Sequence, residues 1–100
     1  MTEYPATIVT PQGKIFEDKV ESLSAPGTEG YLGILAHHAP MVAMLGKGIL
    51  KIIKAGAEHY WAISSGVLEV NKRGELLLLA DTALAGNSFD EAKTKSAEFT

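Results

Sequence analysis

The sequence predicts a mostly β protein: an antiparallel β-sandwich or flattened barrel of about eight to ten short strands, followed by a short C-terminal helix. Three observations carry this reading. Short β-branched and apolar runs recur between turn-forming residues along most of the chain. A stretch from Pro26 to Pro40, with Gly27, Gly30 and Gly33 three residues apart, concentrates turn chemistry amid these runs. The chemistry then changes at Asn87, where Ser88-Phe89-Asp90-Glu91 sets a serine at a helix N-cap and a glutamate three residues later.

Residues 6–10 (ATIVT) are rich in β-branched side chains and form the first expected strand, turned by Pro11-Gln12-Gly13. Residues 14–17 and 20–24 give two more, with Asp18-Lys19 as a tight connection. Within the glycine-punctuated stretch, Tyr31-Leu32-Gly33-Ile34-Leu35 adds one strand, and the remainder reads as exposed loop. Pro26 and Pro40 lack an N–H, so pairing stops there or runs along an edge. Residues 41–45 (MVAML) end at Gly46, and residues 49–54 close at Ala55-Gly56.

Residues 59–63 put His59, Trp61 and Ile63 on one face, and this bulky face should point inward. Residues 67–70 and 75–80 flank Asn71-Lys72-Arg73-Gly74, a hairpin loop with its glycine late. Leucines at 76 to 79 break the alternation of a one-sided strand. Both faces then call for burial, in the core or beneath a partner or the C-terminal segment. The helix opening at Ser88 continues to the chain end, too short to persist alone, so it docks or frays. The expected division is a sandwich over 1–86 and a helical stub over 87–100.

The chain of 100 residues is enough for one modest core. With 46% hydrophobic and 21% charged residues it sits in the globular range. It has no cysteine, so disulfide staples and cysteine-ligated zinc are excluded. A net charge of −3 disfavours nucleic acid and anionic bilayers as partners. No apolar run is long enough to span a membrane, and no basic n-region with an apolar stretch marks a signal peptide. Any work at a membrane would therefore be indirect, through other proteins.

Bond chemistry finds little support. The glycine stretch has neither GxGxxG spacing nor a following GK[ST], and residues 37–40 do not open a helix, so it does not read as a phosphate cradle. Adjacent His37 and His38 point to opposite sides of an extended chain and read as surface loop, while His59 reads as a partly buried strand residue. Ser64-Ser65-Gly66 lacks the GxSxG elbow. Asp81-Thr82 reads as a local side-chain to backbone bond fixing a strand exit. No catalytic residue, metal or cofactor is expected. What remains is surface: Met41, Val42 and Met44 place apolar side chains beside an exposed loop, suited to contact if they are not simply core.

Several motifs fall in one order at near-constant spacing: Thr10-Pro11-Gln12-Gly13, residues 26–35 (PGTEGYLGIL), His38-Ala39-Pro40, Gly48, residues 65–70 (SGVLEV) and residues 79–83 (LADTA). Together, from about Val9 to Ala92, they resemble the epsilon subunit of F-type ATP synthases. The resemblance implies a β-sandwich in the rotating central stalk, tying gamma to the membrane c-ring so that ion flow drives ATP synthesis. It implies no catalysis by this chain and requires no homo-oligomer. Glu29, Gly30 and Tyr31 resemble the tip that meets the c-ring. Thr10, His38, Ala39, Pro40 and Met41 resemble the face laid against gamma.

Three departures stand out. Ala36-His37 replaces the usual Pro-Gly, and Tyr31 stands where an acid is common. Residues 88–100 resemble only the opening of the helical hairpin that inhibits ATP hydrolysis in relatives, and Lys93 replaces an arginine of the ATP-binding segment; neither that inhibition nor tight ATP binding is expected. The implied location is the cytoplasmic face of a bacterial inner membrane, peripheral and without signal or transit peptide. An alternative is a stand-alone β-sandwich binding a ligand in the 27–40 loops.

Overall fold

The computed structural model describes residues 2–97. Ten strands precede one helix: β1 (Tyr4–Thr10), β2 (Gly13–Val20), β3 (Ser22–Gly27), β4 (Gly30–Leu35), β5 (Met41–Leu45), β6 (Gly48–Lys54), β7 (Ala57–Ile63), β8 (Gly66–Val70), β9 (Leu76–Ala80), β10 (Ala83–Gly86) and α1 (Phe89–Ser96). Hydrogen bonding follows the order β10-β7-β6-β3-β5-β8-β9-β1-β2, with β4 also on β3. The sheet doubles back on itself, so that β2 returns to β6 and Phe16 meets Trp61 edge-on at 5.4 Å. The result is the expected sandwich, one layer built on β5-β8-β9-β1-β2 and the other on β4-β3-β6-β7-β10. Pairing is antiparallel except between β1 and β9, which run parallel from Ala6↔Leu76 to Val9↔Leu79. Most of the chain lies between those two strands, ample length for the crossover that parallel neighbours require.

Alternation sets the core. In β1, Tyr4, Ala6, Ile8 and Thr10 are buried while the intervening residues are not. Ile8, Val20, Leu23, Ile34, Leu50, Ile52, Ile63, Leu68 and Leu78 fill the space between layers. Burial of each such side chain contributes about 1.5–3 kcal/mol. The Tyr4 hydroxyl, buried with them, donates to the Ile34 carbonyl at 2.7 Å and so ties β1 to β4.

Several local expectations give way. Asp18 and Lys19 are not a turn; they pair with Ala6 and Pro5, and β2 runs on to Val20. Most of the glycine stretch is hairpin rather than loop, because Pro26 and Gly27 belong to β3, and Thr28 and Glu29 alone connect it to β4. Pro26 is accommodated by its carbonyl, which accepts the Gly46 N–H at 2.8 Å. His59 is exposed, not partly buried: its ring lies tilted beside Trp61 at 6.4 Å, where the Phe16–Trp61 pair already fills the space between layers. The leucine run keeps its alternation after all, with Leu76 and Leu78 buried and Leu79 exposed. β10, an edge strand on β7 from Ala83↔Ile63 to Gly86↔Tyr60, had no signal beyond small residues.

The helix starts at its expected cap: Ser88 is extended and its hydroxyl accepts the Glu91 N–H at 3.1 Å. Only half of the capping box forms, since the Glu91 carboxylate pairs with Lys95 at 3.3 Å. α1 lies on β10, β7 and β6 with Ala92 and Ser96 buried, so it docks as a helix this short must. Its expected continuation over 98–100 lies outside the described residues.

Candidate interaction surface

Register places every outward side chain of the first layer. β5 pairs with β8 from Met41↔Val70 to Leu45↔Gly66, and β8 pairs with β9 from Gly66↔Ala80 to Val70↔Leu76. Combined with the β1–β9 ladder, this aligns Met44, Val67, Leu79 and Val9 in one row across four strands. All four point away from the core, and Met44 and Leu79 are among the exposed large hydrophobic residues. The next row on the same face is Val42, Glu69, Leu77 and Thr7, with Val42 67% exposed. Apolar side chains on a four-strand face form the kind of patch that marks an interaction surface. The single-strand pattern at 41–45 resolves both ways: Leu45 is core, Met41 packs against it, and Val42 and Met44 are surface.

The sequence-derived contact residues occupy different parts of this body. Glu29, Gly30 and Tyr31 are exposed together at the β3–β4 tip. The tip is anchored at the Leu45 end of β5, where the Thr28 N–H donates to the Met44 carbonyl at 3.0 Å. Thr10, beyond the Val9↔Leu79 pair, lies at this same end of the strands. Its side chain is buried and its hydroxyl accepts the Gln12 N–H at 3.2 Å, closing the turn. His38, Ala39 and Pro40 lead into Met41 at the opposite end, with His38 Nδ1 2.8 Å from the Ala39 carbonyl. Four residues of strand rise and three strand spacings separate Thr10 from Met41, roughly 20 Å on the diagonal. They are therefore not one cluster but two corners of this layer, with the Met44–Leu79 row between them and the Thr10 and Met41 side chains turned toward the core. Sequence reasoning missed Val9 and Val67, because only the register brings them beside Leu79.

Other chemistry is sparse. Among the described residues, no three histidine or acidic side chains gather to hold a metal, and no helix is long and apolar enough to cross a membrane. Ser65 donates to the Asp81 carboxylate at 2.5 Å, so Asp81 bridges β8 to the end of β9 rather than making the local backbone bond expected of it. Residues 26–27 and 30–35 of the glycine stretch pair in the β3–β4 ladder. On β7, the Tyr60 hydroxyl donates to Glu58, which lowers the acid below the usual carboxylate range and raises the phenol.

The family described as ATP synthase, Delta/Epsilon chain, beta-sandwich domain matches residues 3–86. The chain belongs to this ATP synthase delta/epsilon family. Similar members include an ATP synthase epsilon chain 2 of Nitrobacter hamburgensis, 36% identical over 96% of this chain and 70% of the relative. An epsilon chain of Desulforamulus reducens is 38% identical over 91% of this chain and 68% of its own length. Among solved structures, a chain of the Euglena gracilis mitochondrial ATP synthase OSCP/F1/c-ring assembly superposes with a TM-score of 0.82 at 25% identity. That match covers 97% of this chain and 62% of the other, so this delta/epsilon sandwich spans less than two thirds of that solved chain. A chain of the Tetrahymena thermophila ATP synthase central stalk and c-ring shares the fold, with a TM-score of 0.72 at 16% identity over 83% of this chain and 66% of that one.

Proposed function

We propose that this chain is a non-catalytic central-stalk subunit of an F-type ATP synthase, which ties gamma to the c-ring and so couples ion translocation to ATP synthesis. Strands β1 to β10 supply the sandwich and α1 the helical stub. The subunit works at the cytoplasmic face of a bacterial inner membrane, held there by its partners. The observation that carries the reading is the outward row Val9, Val67, Leu79 and Met44, an apolar strip across four strands of a delta/epsilon-family sandwich. Gamma lies along this strip, with His38, Ala39, Pro40 and Met41 at one corner and Thr10 at the other. The c-ring meets Glu29, Gly30 and Tyr31 at the exposed tip.

Leu79→Glu and Met44→Glu test this by putting charge in the middle of the strip. Each leaves the far-UV circular dichroism unchanged, because neither side chain is core, and weakens binding to purified gamma at least about tenfold, as loss of a central contact does. Full affinity in both variants would overturn the assignment of this face.

A further inference from the structure

We infer that Tyr31 is a positioning residue: its hydroxyl, set on the Ile49 N–H, fixes the Glu29 tip against the corner where the chain passes from one layer to the other. The tip then meets its partner as a strut rather than as a bending hairpin.

The corner is residues 46–49: Gly46 and Lys47 join β5 to β6, and Gly48 and Ile49 open β6. β3 pairs with β6 from Ser22↔Ile53 to Ser24↔Lys51, and with β5 at Gly27↔Leu45. Between those two ladders the corner is out of register with β3, and Pro26 is the β3 residue alongside it. Ile49 is paired with Ala62 of β7 on its other edge. Its N–H would be an orphan beside β3, and a buried unpaired N–H is costly. The Tyr31 hydroxyl supplies the acceptor at 3.1 Å.

Gly48 makes room for it. A Cβ there would lie 2.9 Å from the Tyr31 hydroxyl and 2.5 Å from the Pro26 Cβ, so a side chain would push ring and proline away together. Tyr31 as a residue is 62% exposed, more than a core tyrosine shows, and its hydroxyl is its anchored end.

Three bonds thus join the hairpin to both sides of the corner: Thr28 N–H to Met44, Gly46 N–H to Pro26, and Ile49 N–H to Tyr31. Two are backbone ties that any sequence could make. The third depends on a phenol, and it reaches β6 nearer the tip than the last β3–β6 pair, Ser24↔Lys51. Beyond that pair, a force that bends the tip away from β6 is resisted by this bond. Tyr31 acts through Ile49, not by adding charge to the tip, whose acidic residue is Glu29.

The consequence for coupling rests on the central-stalk reading; the clamp does not, so the two are tested separately. Tyr31→Phe keeps the ring and removes the acceptor. In the full chain, amide hydrogen exchange at Ile49 should rise about five- to tenfold, the equivalent of one ordinary hydrogen bond. The Thr28 to Gly30 amides should become more mobile by heteronuclear NOE, while Leu50 exchange stays unchanged and Glu29→Gln leaves Ile49 protected. Unaltered exchange at Ile49 would overturn the clamp whatever the complex does. In the assembled synthase, Tyr31→Phe should retain gamma and c-ring yet pump fewer ions per ATP hydrolysed. Faster exchange with undiminished pumping would overturn the strut and leave the family reading intact.

Discussion

Asp18 on β2 and Lys54 on β6 meet at 2.5 Å, joining the two layers at the side where the sheet closes on itself. The Lys54 bond, and then the Lys19 N–H at 2.8 Å, hold the Asp18 carboxyl below the usual carboxylate range. A carboxyl lowered by folding stabilises the fold above the ordinary carboxylate range, and that contribution is lost as pH falls through the lowered value. The pair is exposed, so salt screens it. Asp18→Asn should therefore lower the melting temperature slightly at neutral pH, with a difference that vanishes in strong acid and shrinks in molar salt. Calorimetry of both proteins across pH checks this; a gap that persists in acid would point to packing instead.

Tyr4 works in the opposite pH direction. Burial pushes its phenol well above the ordinary range, and its hydroxyl donates to the Ile34 carbonyl. A group raised by folding contributes fully below its unfolded pKa of about 10, and loses that contribution as pH climbs toward the folded value. In a spectrophotometric titration one tyrosine should resist ionisation until the protein unfolds. Tyr4→Phe should remove that late step and cost about 0.5–1.5 kcal/mol at neutral pH, measured by urea unfolding.

The strands were legible where alternation and turn residues agree, as at 6–10, 49–54 and 67–80, because a half-buried strand must write its two faces into the sequence. Pro26-Gly27 misled because residues that usually end pairing here continue it, with the Pro26 carbonyl answering Gly46. The leucines at 76–79 called for burial in the core or beneath a partner or the C-terminal segment; Leu79 is surface, and only the neighbours Val67 and Val9 give that exposure meaning. Tyr31 was legible as part of an exposed tip; the Ile49 N–H that engages it lies 18 residues away and is set by tertiary register. Local chemistry marks elements, whereas a surface assembled from four strands appears only once they are paired.

Close packing of α1 depends on Gly86. A Cβ at that position would lie 2.7 Å from the Ala92 nitrogen and 3.0 Å from the Ala92 Cβ, so the helix must lift to admit it. An eight-residue helix off the sheet has too few bonds to repay nucleation. Gly86→Ala should melt α1, seen as lost helical circular dichroism and cleavage by protease within 87–97, while the sandwich amides stay protected. Ser88→Ala should fray the same helix more mildly, by about 1 kcal/mol.

Gly66 poses a stricter demand, because what it faces is backbone. A Cβ there would lie 2.0 Å from the Leu79 carbonyl oxygen and 3.0 Å from the Ala80 Cα, at the Gly66↔Ala80 end of the β8–β9 ladder. No rotamer change relieves that contact, so the two strands must part. Parting them costs the ladder and also misaligns Val67 and Leu79, the centre of the outward row. Gly66→Ala should destabilise the fold by about 1–3 kcal/mol, as overpacking does, raise amide exchange along β8 and β9, and weaken gamma binding at temperatures where the chain remains folded. Gly33→Ala is the matched control, since a Cβ at Gly33 meets nothing within 4 Å. If the two alanine variants unfold at the same urea concentration, close approach of β8 to β9 is not what requires glycine at 66.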